Sequence, residues 1–117
     1  MEIDEFPLGK FLVLRPVGRL DNSTSAEFQA HLLQAVGRAD FIVDLAAVEY
    51  ISSGGLRALM TAVRNKPANR RVAVAALHDV VREIFAIAHF EQVVPIFATI
   101  EEARRAWEPR RRGGRPA

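Results

Sequence analysis

The chain has 117 residues, half of them hydrophobic and 26% charged, with a formal net charge of +2 and no cysteine. That length accommodates one hydrophobic core and not two, the composition is that of a folded soluble domain, and the missing thiols exclude disulfides, thiol chemistry and cysteine-ligated metals. No apolar run approaches the roughly 20 residues that cross a bilayer, and the first residues include Glu2, Asp4 and Glu5 where an export signal would be basic, so a cytoplasmic protein without membrane contact is expected.

Residues 11–15, Phe-Leu-Val-Leu-Arg, read as a buried strand that runs on through Pro16-Val-Gly-Arg-Leu20, the proline marking an edge or a bulge. A short strand near Glu2–Phe6 is a weaker expectation. Thr24-Ser-Ala-Glu27 has the pattern of a capping box and opens a helix whose buried stripe is Phe28, Leu32, Leu33 and Val36, stopped by Gly37. Phe41-Ile-Val-Asp-Leu45 is a second strand, and Val48–Ile51 leads into Ser52-Ser53-Gly54-Gly55. A helix starts near Ser53, buries Leu56, Leu59, Met60 and Val63 at helical spacing, and ends at Asn65-Lys-Pro67.

Arg71–Leu77 is the next strand, continuous enough in apolar character to be buried on both faces. Asp79 is the expected cap of a helix buried through Val81, Ile84, Phe85 and Ala88, and His89 follows it where a left-handed glycine is common. Val93–Phe97 reads as a last strand, and the capping box Thr99-Ile-Glu-Glu102 opens a helix ending at Trp107 before Pro109. The order β-α-β-α-β-α-β-α makes this an α/β chain: a mixed, mainly parallel sheet of four to five strands with about four helices packed on it. Residues 1–108 form the domain. Residues 109–117 are expected to be a basic, disordered tail, because Arg110, Arg111, Arg112 and Arg115 stand there without apolar anchors. Without those four charges the remainder is −2.

Chemistry-bearing motifs are few. There is no Gly-x-x-x-x-Gly-Lys-[Ser/Thr] loop and no Gly-x-Gly-x-x-Gly fingerprint, and His31, His78 and His89 have neither metal-ligand spacing nor cysteine partners. Ser53 lacks a Gly-x-Ser-x-Gly elbow. No catalytic residue, metal or cofactor is expected, and nothing calls for direct contact with nucleic acid.

The Ser52-Ser53-Gly54-Gly55 junction reads on local physics as a strand-to-helix turn with a serine N-cap. Two consecutive glycines at a helix start cost roughly 1 kcal/mol each against alanine, so they need a reason, and an open backbone for close approach is one. In a parallel sheet the C-terminal strand ends share one edge, which brings Asp21 and Thr24, after the first strand, toward Ser53.

Gly18-Arg-Leu-Asp21 with Thr24, Val43-Asp-Leu45, Tyr50-Ile-Ser-Ser-Gly-Gly-Leu-Arg57, Val81-Arg-Glu-Ile-Phe85, Pro95-Ile-Phe97 and Glu101-Glu102-Ala103 together resemble a STAS domain of the bacterial anti-sigma-factor-antagonist type, from about residue 10 to residue 107. The resemblance implies partner switching. The unmodified antagonist binds an anti-sigma factor that is also a serine kinase and so frees a sigma factor for transcription. Phosphorylation with ATP releases the antagonist, and a metal-dependent serine phosphatase restores it. Carried onto this sequence, the phosphoacceptor is Ser53, with Ser52 as the alternative, and the partner covers Asp21, Thr24, Ser52, Gly54, Gly55, Leu56 and Arg57. Many relatives have aspartate where Ser52 stands and serine or alanine where Gly54 stands. Their extended N-terminal strand is expected to be shortened here. A monomer is expected. The rival reading is a STAS adaptor subunit of a membrane transporter or lipid-transport ATPase, without a phospho-switch.

Overall fold

A computed structural model describes residues 1–108; the expected basic tail, 109–117, lies outside the described residues. The elements are β1 (Glu2–Leu8), β2 (Phe11–Leu20), α1 (Ser25–Val36), β3 (Phe41–Asp44), β4 (Val48–Ile51), α2 (Ser53–Asn65), β5 (Val72–Ala75), α3 (Asp79–Ile87), β6 (Ile96–Phe97) and α4 (Ile100–Trp107), with a 3-10 turn at Phe90–Gln92. The sheet has six strands, more than the four to five expected, in the order β1-β2-β3-β5-β6 with β4 joined to β2 alone. β1 is antiparallel to β2 and the other pairings are parallel.

Two expectations at the start of the chain are corrected. The N-terminal strand is not shortened: all of Glu2 to Leu8 pairs with Val17 to Phe11. Its acidic, proline-containing sequence hides the strand because its partner, not its propensity, forms it. Pro16 is buried and does not lie on an edge strand. The amides of Leu12 and Gly18 both donate toward the parallel side of β2, to Asp40 and Ala47. By strand alternation the nitrogen of residue 16 points the same way. Residues 12–14 pair with β3 and residues 18–20 with β4, with a register irregularity at Gly18/Arg19. Proline thus occupies the point where the partner strand changes and no amide is required. Gly18 takes φ +105° there, a conformation that favours glycine.

The two faces of the sheet carry separate layers. Leu14, Leu20, Phe41, Val43, Val72 and Val74 pack with Phe28 and Leu32 of α1, Leu59 of α2, and Val81 and Phe85 of α3. On the opposite face Phe11, Ile42 and Ala75 meet Ala103 of α4, with Trp107 edge-on to Phe11 at 5.3 Å between ring centres. Asp44, the one buried polar or charged side chain among the described residues, ends β3; its carboxylate accepts from Arg15 Nε at 3.0 Å and from the Ala46 amide at 2.9 Å.

Of the four helix starts, α2, capped by a serine, and α4 follow their sequence signals, and α1 and α3 do not. Thr99 caps α4 by accepting from the Glu102 amide at 3.0 Å, while Glu102 accepts from the Ala98 amide. Thr24 makes no such bond: no side chain caps α1, its hydroxyl serves the preceding loop, and Glu27 pairs with the Met1 ammonium at 2.8 Å. Asp79 is the first residue of α3 and not its cap, which is His78 without a side-chain cap bond; the His78 ring instead reaches the Ala46 carbonyl. The stripes shift slightly. Leu33 is 38% exposed, and α2 turns Gly55, Ala58, Leu59 and Ala62 inward, leaving Leu56, Met60 and Val63 half-buried. Small residues on that face let α2 lie close to α1 and the sheet. The last strand is only Ile96–Phe97, Val93 belonging to the preceding turn.

Candidate functional site

The end of β4 and the start of α2 form the site. Ser52 is extended, with φ −93° and ψ 175°; its amide donates to the Leu20 carbonyl at 2.7 Å and its hydroxyl oxygen accepts from the Gly55 amide at 3.3 Å. Ser52 is therefore the N-cap and is half-buried, whereas Ser53 is the first helical residue and is exposed. Ser53 stands at the positive end of a helix whose first turn contains no acidic side chain. Arg57, one turn further on, is also exposed.

The loop from β2 to α1 closes on this helix start. Thr24 Oγ1 accepts from the Asp21 amide at 3.0 Å and its hydroxyl donates to the Arg19 carbonyl at 3.0 Å. The Asp21 carboxylate accepts from the Ser23 hydroxyl at 2.7 Å and the Ser23 amide at 2.9 Å. These bonds, the Ser23 hydroxyl foremost, hold the Asp21 carboxyl below the ordinary aspartate range. Arg19 lies 3.7 Å from Asp21 Oδ2 and stacks over the Tyr50 ring at 4.6 Å. The expected convergence of Asp21, Thr24 and Ser53 on one end of the sheet is present: Asn22 of the loop and Ser25 at the start of α1 abut Gly54.

The glycines have a different reason from the expected one. Both are buried. A Cβ on Gly54 would stand 2.6 Å from Asn22 Oδ1, and one on Gly55 would stand 2.7 Å from Ile51 Cγ1 and 3.0 Å from the Leu20 carbonyl oxygen. They admit the protein's own β2–α1 loop and strand ends to the helix, and do not leave backbone open to an outside molecule.

Sequence reasoning missed an apolar groove beside the serines. It has a volume of about 310 Å³ and is lined by Tyr50, Ile51, Ser52, Ser53, Leu56, Ile84, Ile87 and Ala88. Ile87 is 77% exposed and Val80, on the same helix, 54%. The available signal was a second apolar stripe on α3, Val80-Ile84-Ile87, beside the buried Val81-Phe85 pair. Among the described residues no group of three or more His, Asp or Glu is arranged to hold a metal ion, and no helix is long and apolar enough to cross a membrane.

Comparison with known proteins matches residues 4–103 to the STAS domain model. BtrV of Bordetella bronchiseptica, named as a candidate anti-sigma factor antagonist, is 28% identical over 94 residues, 78% of this chain and 81% of BtrV. The crystal structure of an anti-sigma factor antagonist from Mycobacterium paratuberculosis superposes with a TM-score of 0.83 at 20% identity, covering 90% of this chain and 92% of that one. The phosphorylated form of the Bacillus cell fate determinant SpoIIAA gives 0.68 at 18% identity, covering 92% and 100%. At those identities the two structures establish the shared fold alone.

Proposed function

The chain belongs to the STAS domain family, and from that premise we propose that it is an anti-sigma factor antagonist switched by phosphorylation of Ser53. The observation that carries the reading is the division of labour between the serines. Ser52 has its hydroxyl committed to the Gly55 amide, and Ser53 offers an exposed hydroxyl at the helix start. Ser53 is accordingly the acceptor in preference to Ser52. The name of BtrV and the phosphorylated state of SpoIIAA support the role and the modification.

The unmodified protein binds an anti-sigma factor serine kinase through Asp21, Thr24, Ser52, Leu56 and Arg57, with the groove between Leu56 and Ile87 taking an apolar side chain of the partner. Gly54 and Gly55 lie beneath this surface and shape it from below. A phosphate on Ser53 adds about −1.5 to −2 charges. The helix N-terminus accommodates them within the protein, and a partner packed on the same spot does not: a like charge or steric block there costs several kcal/mol, where each ~1.4 kcal/mol is about tenfold in affinity. A serine phosphatase reverses the step. The protein is a regulatory module without catalysis of its own, acting as a cytoplasmic monomer, with residues 1–108 as the binding unit.

The test is to incubate the protein with ATP and serine-kinase anti-sigma factors, comparing wild type, Ser52→Ala, Ser53→Ala and Ser53→Asp. Ser53→Ala is expected to abolish labelling and keep binding; Ser53→Asp is expected to weaken binding by at least about tenfold. Full labelling of Ser53→Ala would refute the site. Undiminished binding of Ser53→Asp would refute the charge switch, and capture of transporter ATPase subunits in place of a kinase would favour the adaptor role.

A further inference from the structure

Ser53 and Arg57 are both exposed on α2, Ser53 as its first residue and Arg57 four residues later. Residues at that spacing are neighbours on a helix surface, with about 5–6 Å between their Cβ atoms. Helical side chains lean toward the N-terminus, so a long side chain at position 57 covers the turn that begins with Ser53. The arginine has no competing anion there. Its other neighbours at helical spacing are Gly54, Met60 and Thr61, and the Thr61 hydroxyl donates to the Arg57 carbonyl at 2.9 Å. Among the described residues no carboxylate lies within ion-pair distance of Arg57. Arg19, which follows the same end of the sheet, is placed differently: it stands 3.7 Å from Asp21 Oδ2 and stacks over the Tyr50 ring, so it already has both an anion and a ring face.

We propose that Arg57 is the intramolecular counter-ion of a phosphate on Ser53, an inference that rests on the reading of Ser53 as the phosphoacceptor. An acid placed four residues before a base is the favoured order of an ion pair on a helix. The planar guanidinium presents parallel N–H donors that match two phosphate oxygens, and a phosphate adds three strong acceptors where the serine had one hydroxyl. No strand or loop has to move for the two groups to meet, since they stand one turn apart on the same helix. Under the proposed switch the modification therefore acts twice. It adds negative charge at the helix start, and it draws onto that charge the cation that the unmodified protein holds open to a carboxylate of its partner.

The experiment places phosphoserine at position 53 of the full chain during translation, without a kinase, and follows its phosphorus NMR signal against pH. The second ionisation of the phosphate, near pH ~6 for phosphoserine, should lie about 0.2–0.4 units higher in Arg57→Ala than in the phosphorylated parent, the size expected of an exposed ion pair at this spacing. The gap should narrow in about 1 M salt. Arg57→Lys should keep the ionisation close to that of the parent by restoring the charge, and Arg64→Ala, about three turns from Ser53, should leave it unchanged. Circular dichroism of each variant checks that α2 is intact. Equal ionisation in Arg57→Ala and the parent, or a rise produced by Arg19→Ala in place of Arg57→Ala, would overturn the proposal. Because no kinase enters this measurement, the two readings fail separately: absent labelling of Ser53 by a kinase refutes the acceptor, and an unshifted phosphate refutes the counter-ion.

Discussion

At the scale of single residues, the two glycines beside the serines have similar clearances and different prospects. The atom that obstructs a methyl group at residue 54 is the tip of the exposed Asn22 side chain, which can swing aside. The atoms at residue 55 are the Leu20 backbone and the buried Ile51 side chain, which cannot. Alanine otherwise gains about 1 kcal/mol over glycine in a helix. Gly54→Ala is therefore expected to be close to neutral in urea denaturation, and Gly55→Ala to destabilise by about 1–3 kcal/mol through overpacking. Asp21 supplies a pH prediction. Its carboxyl is held below its unfolded value, so the loop order it supports is complete above about pH 3.9 and is lost as the pH falls through the folded value. Ser23→Ala, which removes the strongest of its bonds, should move the Asp21 carboxyl titration up toward the ordinary range in NMR. Much of this was legible: Ser53 at a helix start, Asp21 and Thr24 at the same sheet end, and His89 in the left-handed region at φ 55°. The purpose of the glycines was not, because it depends on Asn22 and Leu20, some thirty residues away in sequence.

At the scale of elements, two similar cap signals have different outcomes, and the difference can be measured. Thr99→Ala should cost about 1 kcal/mol by leaving the Glu102 amide uncapped. Thr24→Ala should instead disturb the loop, shifting the NMR amide resonances of Asp21 and Arg19 while the middle of α1 stays unchanged, since its hydroxyl joins those two residues and caps nothing. A four-residue pattern cannot tell these apart, because a threonine before a helix bonds whichever donor the incoming chain presents. Helix stripes were legible to within one face. Strand lengths were less so: β5 and β6 are shorter than their apolar runs, as residues such as Leu77 and Val94 are buried by packing without belonging to a ladder.

At the scale of the molecule, the α/β architecture followed from the alternation of elements, whereas pairings between strands did not. Nothing local to residues 11–20 discloses that one strand serves three partners, and nothing local to Glu2–Leu8 that it forms the sheet's first edge. That edge has exposed Glu2, Asp4, Glu5 and Pro7 along it, charges and a proline of the kind that discourage pairing with another chain. The protein should sediment as a monomer, and Glu2→Val combined with Asp4→Val should produce concentration-dependent self-association in analytical ultracentrifugation.

The forked pairing of β2 also bears on how the sheet opens. β4 has a backbone ladder with β2 alone, whereas β3 is bonded on both sides. In deuterium exchange the amides of β4, held along one margin, are expected to take up label through local opening ahead of those of β3. Ser53 follows β4 by two residues, so the proposed phosphorylation would fall beside a strand whose ladder is bonded on one side alone.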